Sequence, residues 1–164
     1  MNKKLLLLSV LLLTAVVGCK NKSNNSASQG SNSDSTEQVS TDYKGKVAFF
    51  DFWATWCPPC RAAMREVDQI KPELQKQGAV FVYITGETSP EEEWKNSLTE
   101  IHGDHYRLTD KQWQEINNDL HIPGIPVYFL LNRKGEMVFS NLTEGGYPGN
   151  DVVKKVITQA LNQK

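Results

Sequence analysis

Val47-Ala48-Phe49-Phe50-Asp51-Phe52-Trp53-Ala54-Thr55-Trp56-Cys57-Pro58-Pro59-Cys60 is an apolar run that leads into a Cys-x-x-Cys pair. The run from Val47 to Trp53 is rich in aromatic and β-branched residues and reads as a strand buried on both faces. From Pro58 to about Gln77, Cys60, Met64, Val67, Ile70 and Leu74 recur at helical spacing. A strand feeding a helix with Cys-x-x-Cys at the junction is the arrangement of a thiol–disulfide exchange site. The spacing suits that chemistry, because two sulfurs within one helical turn can close a disulfide while the first stays accessible and the second lies beneath it. Zinc would need four ligands, and the only supplementary candidates are His102, His105 and His121, far downstream. A purely structural bridge is weak, since so small a loop removes little unfolded-state entropy.

Cys57 opens the helix, so its thiolate faces the positive end of the helix dipole and the Cys60 amide, which makes it the candidate nucleophile. Pro58 and Pro59 fit the first helical positions but withdraw two N–H donors, so stabilisation of the thiolate is moderate and a reductant is expected, with a disulfide oxidase or isomerase, or a redox-inactive or metal-binding module, as the alternatives. Trp56, Pro58 and Pro59 flank the sulfur as the candidate substrate-contacting surface, whereas Trp53 is expected in the core. No Pro-x-x-x-Thr-x-x-Cys pattern surrounds Cys57, which argues against a peroxidase. The three histidines have no evident partner and are expected on the solvated surface.

Downstream, Ala79 to Thr85 reads as a second buried strand, so the first strand, helix and second strand form a βαβ unit with two parallel strands. Ser89-Pro90-Glu91-Glu92 signals a second helix with Ser89 as its cap and Trp94, Leu98 and Ile101 on one face. Asp110 is expected to cap a third, with Trp113, Ile116 and Leu120. Val127 to Leu131 and Glu136 to Ser140, split by Asn132-Arg133-Lys134-Gly135, read as an antiparallel hairpin. Asn150-Asp151 is expected to cap a final helix in which Val152, Val153, Val156, Ile157, Ala160 and Leu161 face the sheet. The expected order is β-α-β-α-α-β-β-α, an α/β domain over residues 42–164.

The chain has 164 residues and a formal net charge of -1, so no basic footprint points to nucleic acid. Lys3 and Lys4 precede the apolar run Leu5 to Val17, whose thirteen residues are too few to cross a bilayer and read as a secretory signal over 1–18. Val16-Val17-Gly18-Cys19 resembles the lipobox of bacterial lipoproteins, which implies cleavage before Cys19 and lipidation of its sulfur. One thiol of three is thereby consumed, leaving Cys57 and Cys60 as the pair. Residues 19–41 are Ser- and Asn-rich, with almost no large apolar side chain, and are expected to form a disordered tether.

Phe50 to Cys60 resembles the thioredoxin active-site strand and helix start, and Ile125-Pro126 before Val127-Tyr128-Phe129-Leu130 resembles that fold's cis-proline loop and next strand. Across Tyr43 to Lys164 the chain is similar to TlpA-like tethered thiol–disulfide oxidoreductases. The resemblance implies a thioredoxin fold, a mixed central sheet flanked by helices with a helical insertion over 87–121 that shapes partner choice. It further implies that Asp51 is a buried carboxylate serving as proton acceptor for Cys60. Pro126 is implied to be cis, freeing the Ile125 backbone to pair with an extended substrate. No cofactor is implied beyond the redox-active Cys57–Cys60 disulfide. The implied partners are thiol and disulfide proteins outside the cytoplasm and a membrane-embedded electron donor, with the membrane engaged through Cys19. Arg65 stands where the family keeps a proline, and Pro72 comes later. The family's N-terminal strand is short or absent. Copper-delivery relatives carry Cys-x-x-x-Cys and a distal histidine, a different spacing.

Overall fold

The computed structural model describes residues 27–28 and 42–163. Its elements are β1 (Ala27–Ser28), β2 (Val47–Phe52), α1 (Pro58–Lys76), β3 (Ala79–Gly86), α2 (Glu91–Ser97), β4 (Asp104–Leu108), α3 (Asp110–Leu120), β5 (Val127–Leu131), β6 (Met137–Ser140) and α4 (Asn150–Asn162). The strands form one sheet in the order β1-β4-β3-β2-β5-β6. The pairs β1–β4, β4–β3 and β3–β2 are parallel, while β5 runs antiparallel to β2 and β6 antiparallel to β5. The mixed sheet with flanking helices is therefore as expected. The signal over 1–18, Cys19 and the rest of the tether lie outside the described residues.

β2 is central, and every one of its residues is buried. Because side chains alternate across a strand, β2 supplies both cores. Phe49 and Trp53 join Val67 and Leu74 of α1 and Val153 and Ile157 of α4 on one face. Phe50 and Phe52 join Val82, Ile84, Ile116 of α3 and Phe129 on the other. Asp51 falls in step with Phe49 and Trp53, on the α1 and α4 face. The alternation that places aromatic rings there places a carboxyl among them.

Several local expectations differ. The 87–121 segment holds a strand, β4, between its two helices, where the sequence pattern predicted helices alone. Its residues Asp104-His105-Tyr106-Arg107-Leu108 lack a buried-strand pattern because, among the described residues, β4 is flanked on its outer side by the two-residue β1 alone. Gly103, just before it, lets the backbone approach closely: a Cβ there would lie 2.6 Å from the Phe81 carbonyl oxygen and 2.8 Å from the Tyr83 ring. β1 lies within the stretch expected as tether. It pairs through its backbone, for which composition gives no signal.

Three caps also differ. Thr109, not Asp110, caps α3, in a reciprocal box with Gln112. Pro90 is the cap residue of α2, without a side-chain bond, because the Ser89 hydroxyl is turned to Thr85 and to the Thr55 N–H. Gly149 precedes α4, and the Asn150 side chain instead accepts from the Tyr147 hydroxyl and donates to the Glu66 carbonyl; in the first turn of α4 Val153 is buried but Val152, expected to face the sheet, is exposed. Pro72 sits inside α1, which runs unbroken through it; its missing N–H leaves the Asp68 carbonyl without its usual helical donor. Among the described residues no helix is long and apolar enough to cross a membrane.

Candidate active site

β2 ends at Phe52, and the chain reaches α1 through Trp53, Ala54, Thr55 and Trp56. Cys57 is the N-cap residue of α1, with extended backbone angles, and Pro58 and Pro59 occupy the first helical positions. Cys57 and Cys60 are joined by a disulfide with sulfurs 2.01 Å apart and Cα atoms 5.3 Å apart. The Cys60 N–H lies 3.3 Å from Cys57 Sγ, an orphan helical donor aimed at the sulfur where a thiolate would form on reduction. Cys60 is fully buried as expected of the second sulfur, but Cys57, expected to be accessible, is only 3% exposed in the disulfide form, while Pro58 and Pro59 are exposed.

The loop before Cys57 is held from the 87–121 segment. The Thr55 N–H donates to Ser89 Oγ at 3.0 Å, and Ser89 Oγ lies 2.7 Å from Thr85 Oγ1. Trp56 is 58% exposed, yet its indole N–H donates to the Thr88 carbonyl. Trp53 is fully buried, with the Arg61 guanidinium over its ring. Arg61 reaches Ser97 Oγ and Glu100, both at 3.1 Å, and a cleft of about 320 Å³ opens between Thr55, Arg61, Glu93, Asn96, Ser97 and Glu100. The sequence signal at Ser89 was a helix cap; its contact with Thr55, 34 positions away, has no local signature.

On the other side of β2, the Ile125–Pro126 peptide bond is cis. Antiparallel pairing of Phe52 with Val127 brings it to the same end of the sheet as the Cys57 loop. Pro126 is buried and Ile125 half-buried. The Gly146 N–H donates to the Pro126 carbonyl at 2.9 Å. Asn141 fastens this loop: its Oδ1 accepts from the Tyr128 N–H at 2.7 Å, and its Nδ2 donates to the Gly146 carbonyl. Nothing in the sequence pattern marked Asn141.

Asp51 is 2% exposed, and its Oδ1 is buried without a hydrogen-bond partner. Burial pushes its carboxyl well above the ordinary carboxylate range, and the positive charge of Lys71 opposes that shift. Two tyrosines, Tyr83 of β3 and Tyr128 of β5, stand opposite it in the sheet register. Lys71, which the helical pattern left outside the inward stripe, is buried on α1.

Histidine placement needs one correction. His102 and His121 are exposed as expected, but His105 is buried, stacked on Tyr83 and bonded through Nε2 to the Ile101 carbonyl at 2.7 Å. Burial lowers its pKa and favours the neutral ring. His105 lies on β4, a strand with no apolar run to mark it as buried. Among the described residues no three His, Cys, Asp or Glu side chains gather where they could hold a metal ion.

Comparison with known proteins bears on this geometry. The chain is 29% identical over 125 residues to the thiol-disulfide oxidoreductase ResA of Geobacillus thermodenitrificans, a match covering 76% of this chain and 61% of that protein. It is 34% identical over 100 residues to the thioredoxin-like protein YneN of Bacillus subtilis, covering 57% of this chain and 55% of YneN. The chain thus spans less than two thirds of the length of these relatives. In three dimensions it resembles a thioredoxin-family thiol:disulfide interchange protein of Chlorobium tepidum with a TM-score of 0.63 at 25% identity, over 75% of this chain and 85% of that one. The sequence pattern of the thioredoxin-like family matches residues 45–137, more than half of the chain, and the protein belongs to that family.

Proposed function

We propose that this protein is a membrane-anchored, extracytoplasmic thiol–disulfide oxidoreductase that reduces disulfides in secreted proteins. The observation that carries the reading is the Cys57–Cys60 disulfide at the start of α1, on the same sheet face as a buried carboxyl. In the reduced protein the Cys57 thiolate attacks one sulfur of a substrate disulfide. A mixed disulfide forms, and the other substrate sulfur leaves as a thiolate. The Cys60 thiol then gives its proton to the Asp51 carboxylate and attacks Cys57 Sγ. The intramolecular disulfide closes, the second substrate thiolate leaves, and two electrons have passed to the substrate.

Direction is argued from the donors around the sulfur. Strong oxidants stabilise the thiolate heavily, whereas here Pro58 and Pro59 carry no N–H and the Cys60 amide is the helical donor at Cys57. A chain that gives up two electrons per turnover outside the cytoplasm needs a source of them, which we assign to a membrane-embedded donor. The lipobox-like Val16-Val17-Gly18-Cys19 supports a lipid anchor at Cys19, with residues 19–41 as the tether. Exposed Trp56, Pro58 and Pro59, together with the backbone at Ile125, form the substrate-facing rim. The contacts of Thr88, Ser97 and Glu100 with the active-site end support a role for the 87–121 segment in partner choice.

Cys60→Ala is expected to accumulate mixed disulfides through Cys57 in cells, because the resolving thiol is gone, while Cys57→Ala traps little. Equal trapping by both variants, on non-reducing gels with peptide identification, would contradict the assignment of the nucleophile. Cys19→Ser is expected to leave the protein as uncleaved precursor or free of the membrane, and an unmodified Cys19 thiol in the intact mass of the mature wild type would refute the anchor.

Asp51 also predicts a pH dependence of stability. Its folded-state pKa is raised, so the folded chain binds this proton more tightly than the unfolded chain does. Stability from this group is therefore fullest below the unfolded value, about 4, and falls as pH rises toward the folded value. Asp51→Asn should remove that slope in the oxidised protein. Urea unfolding is expected to show the variant gaining on the wild type as pH rises from about 4 to 8, and a difference constant with pH would show that the carboxyl is not perturbed in the folded state.

A further inference from the structure

β6 ends at Ser140, and at Asn141 the chain turns away from the sheet without releasing β5. Asn141 is 6% exposed and takes both main-chain groups of Tyr128: its N–H donates to the Tyr128 carbonyl at 3.1 Å, and its side-chain Oδ1 accepts from the Tyr128 N–H at 2.7 Å. In a regular antiparallel ladder the opposing residue would supply its own carbonyl for that second bond. Here the side chain stands in for it, and the freed Asn141 carbonyl accepts from the Gly145 N–H at 2.8 Å, closing the turn. Asn141 Nδ2 donates to the Gly146 carbonyl, while the Gly146 N–H donates to the Pro126 carbonyl at 2.9 Å. A single side chain thus joins the turn to the start of β5.

The far end of the same loop is fastened to the helix that carries the cysteines. Tyr147 packs edge-on against Tyr128 with ring centroids 5.6 Å apart, and its hydroxyl donates to Asn150 Oδ1. Asn150 Nδ2 donates to the Glu66 carbonyl of α1 at 3.0 Å. Pro126 has no N–H and its carbonyl is committed to Gly146, so neither of its main-chain groups is open to a substrate. Ile125 differs: among the described residues its N–H and carbonyl form no hydrogen bond. That unpaired main chain lies directly before the cis bond, at the end of the sheet where Cys57 opens α1.

We propose that Asn141 is a positioning residue for the substrate: by standing in for a strand residue opposite Tyr128 and gripping Gly146, it fixes the loop that occupies the Pro126 carbonyl and holds the Ile125 peptide where an extended, cysteine-bearing segment pairs with it. This rests on the reading of the Ile125 backbone as part of the substrate-facing rim. The hydrogen bonds of Asn141 go to Tyr128, Gly145 and Gly146 and none goes to Cys57 or Cys60, so its effect falls on the placing of the peptide and not on the thiol chemistry. The ligand it serves is a polypeptide with free amides beside its cysteine. A disulfide without a peptide backbone gains nothing from it.

The test uses the reduced full chain in detergent and two mixed disulfides of thionitrobenzoate, one with a linear cysteine peptide and one with mercaptoethanol. Thionitrobenzoate, the more acidic thiol, is the group displaced from both, and its release in a single turnover gives a second-order rate constant for each. In Asn141→Ala and in Asn141→Leu the ratio of the peptide constant to the mercaptoethanol constant should fall about tenfold. N-methylation of the amides flanking the peptide's cysteine should slow the wild type by a similar factor. It should cost either variant about twofold or less, because both changes remove the same pairing. A ratio unchanged in whichever variant keeps its near-ultraviolet circular dichroism, beside a wild type slowed by N-methylation, overturns the role of Asn141 and leaves the Ile125 reading standing. So does a fall in the ratio with the full N-methylation penalty retained. A wild type indifferent to N-methylation overturns the Ile125 reading, and the proposal with it.

Discussion

Cys57 at the junction of a fully buried central strand and the first turn of α1 is the constraint on which the structure depends. β2 has a partner strand on each side and a packed core on each face, so its end is fixed from four directions. The helix that follows leaves its first N–H groups unsatisfied. Two of those positions are prolines without an N–H, and the next amide points at the sulfur. Sequence, cap geometry and chemistry converge on one atom. Ser89 and Thr88 hold the loop that leads into Cys57, while Asn141 and Gly146 fasten the separate cis-Pro126 loop at the same end of the sheet.

Beneath that junction the fold keeps charge where packing alone would favour hydrocarbon. An isolated buried ion costs several kcal/mol after relaxation, whereas an exposed helical ion pair returns about 0.3–0.5 kcal/mol. The Lys71–Asp68 contact, with one partner half exposed, therefore does not by itself account for an ammonium at 4% exposure. The hydroxyl and ring of Tyr83 add a hydrogen bond and a cation–π contact. A methionine at the same place would avoid the desolvation altogether. Asp51 is buried in the same core, where burial raises its carboxyl and the lysine charge opposes that shift.

How much of this was legible in the sequence follows from the range of each interaction. β2, β3 and β5 are buried on both faces and read as apolar runs, and α1 showed its period of inward side chains. The turn at Asn132 to Gly135 was legible because its chemistry is local: Asn132 Oδ1 accepts from the N–H groups of Lys134 and Glu136, and Gly135 adopts φ +79°. Cys57, Cys60, Trp56 and Pro126 announced themselves by motif. β4 did not, because a strand with polar alternation near the sheet edge has no apolar run to display. Lys71 and His105 were hidden for a related reason: a polar residue is buried only when a distant partner satisfies it, and Tyr83 and the Ile101 carbonyl become partners only once the sheet has formed.

The central claim is that Cys57, activated by its place at the head of α1, is the attacking sulfur and Cys60 the resolving one. Alkylation of the reduced full chain by iodoacetamide across a pH series, with the modified cysteine identified by peptide mass, tests it most directly. The account predicts that Cys57 reacts first, with a half-maximal rate below the free-thiol value of about pH 8.5, while Cys60 stays protected in the folded protein. Equal labelling of the two sulfurs, or a Cys57 midpoint at or above that of a free thiol, would contradict it.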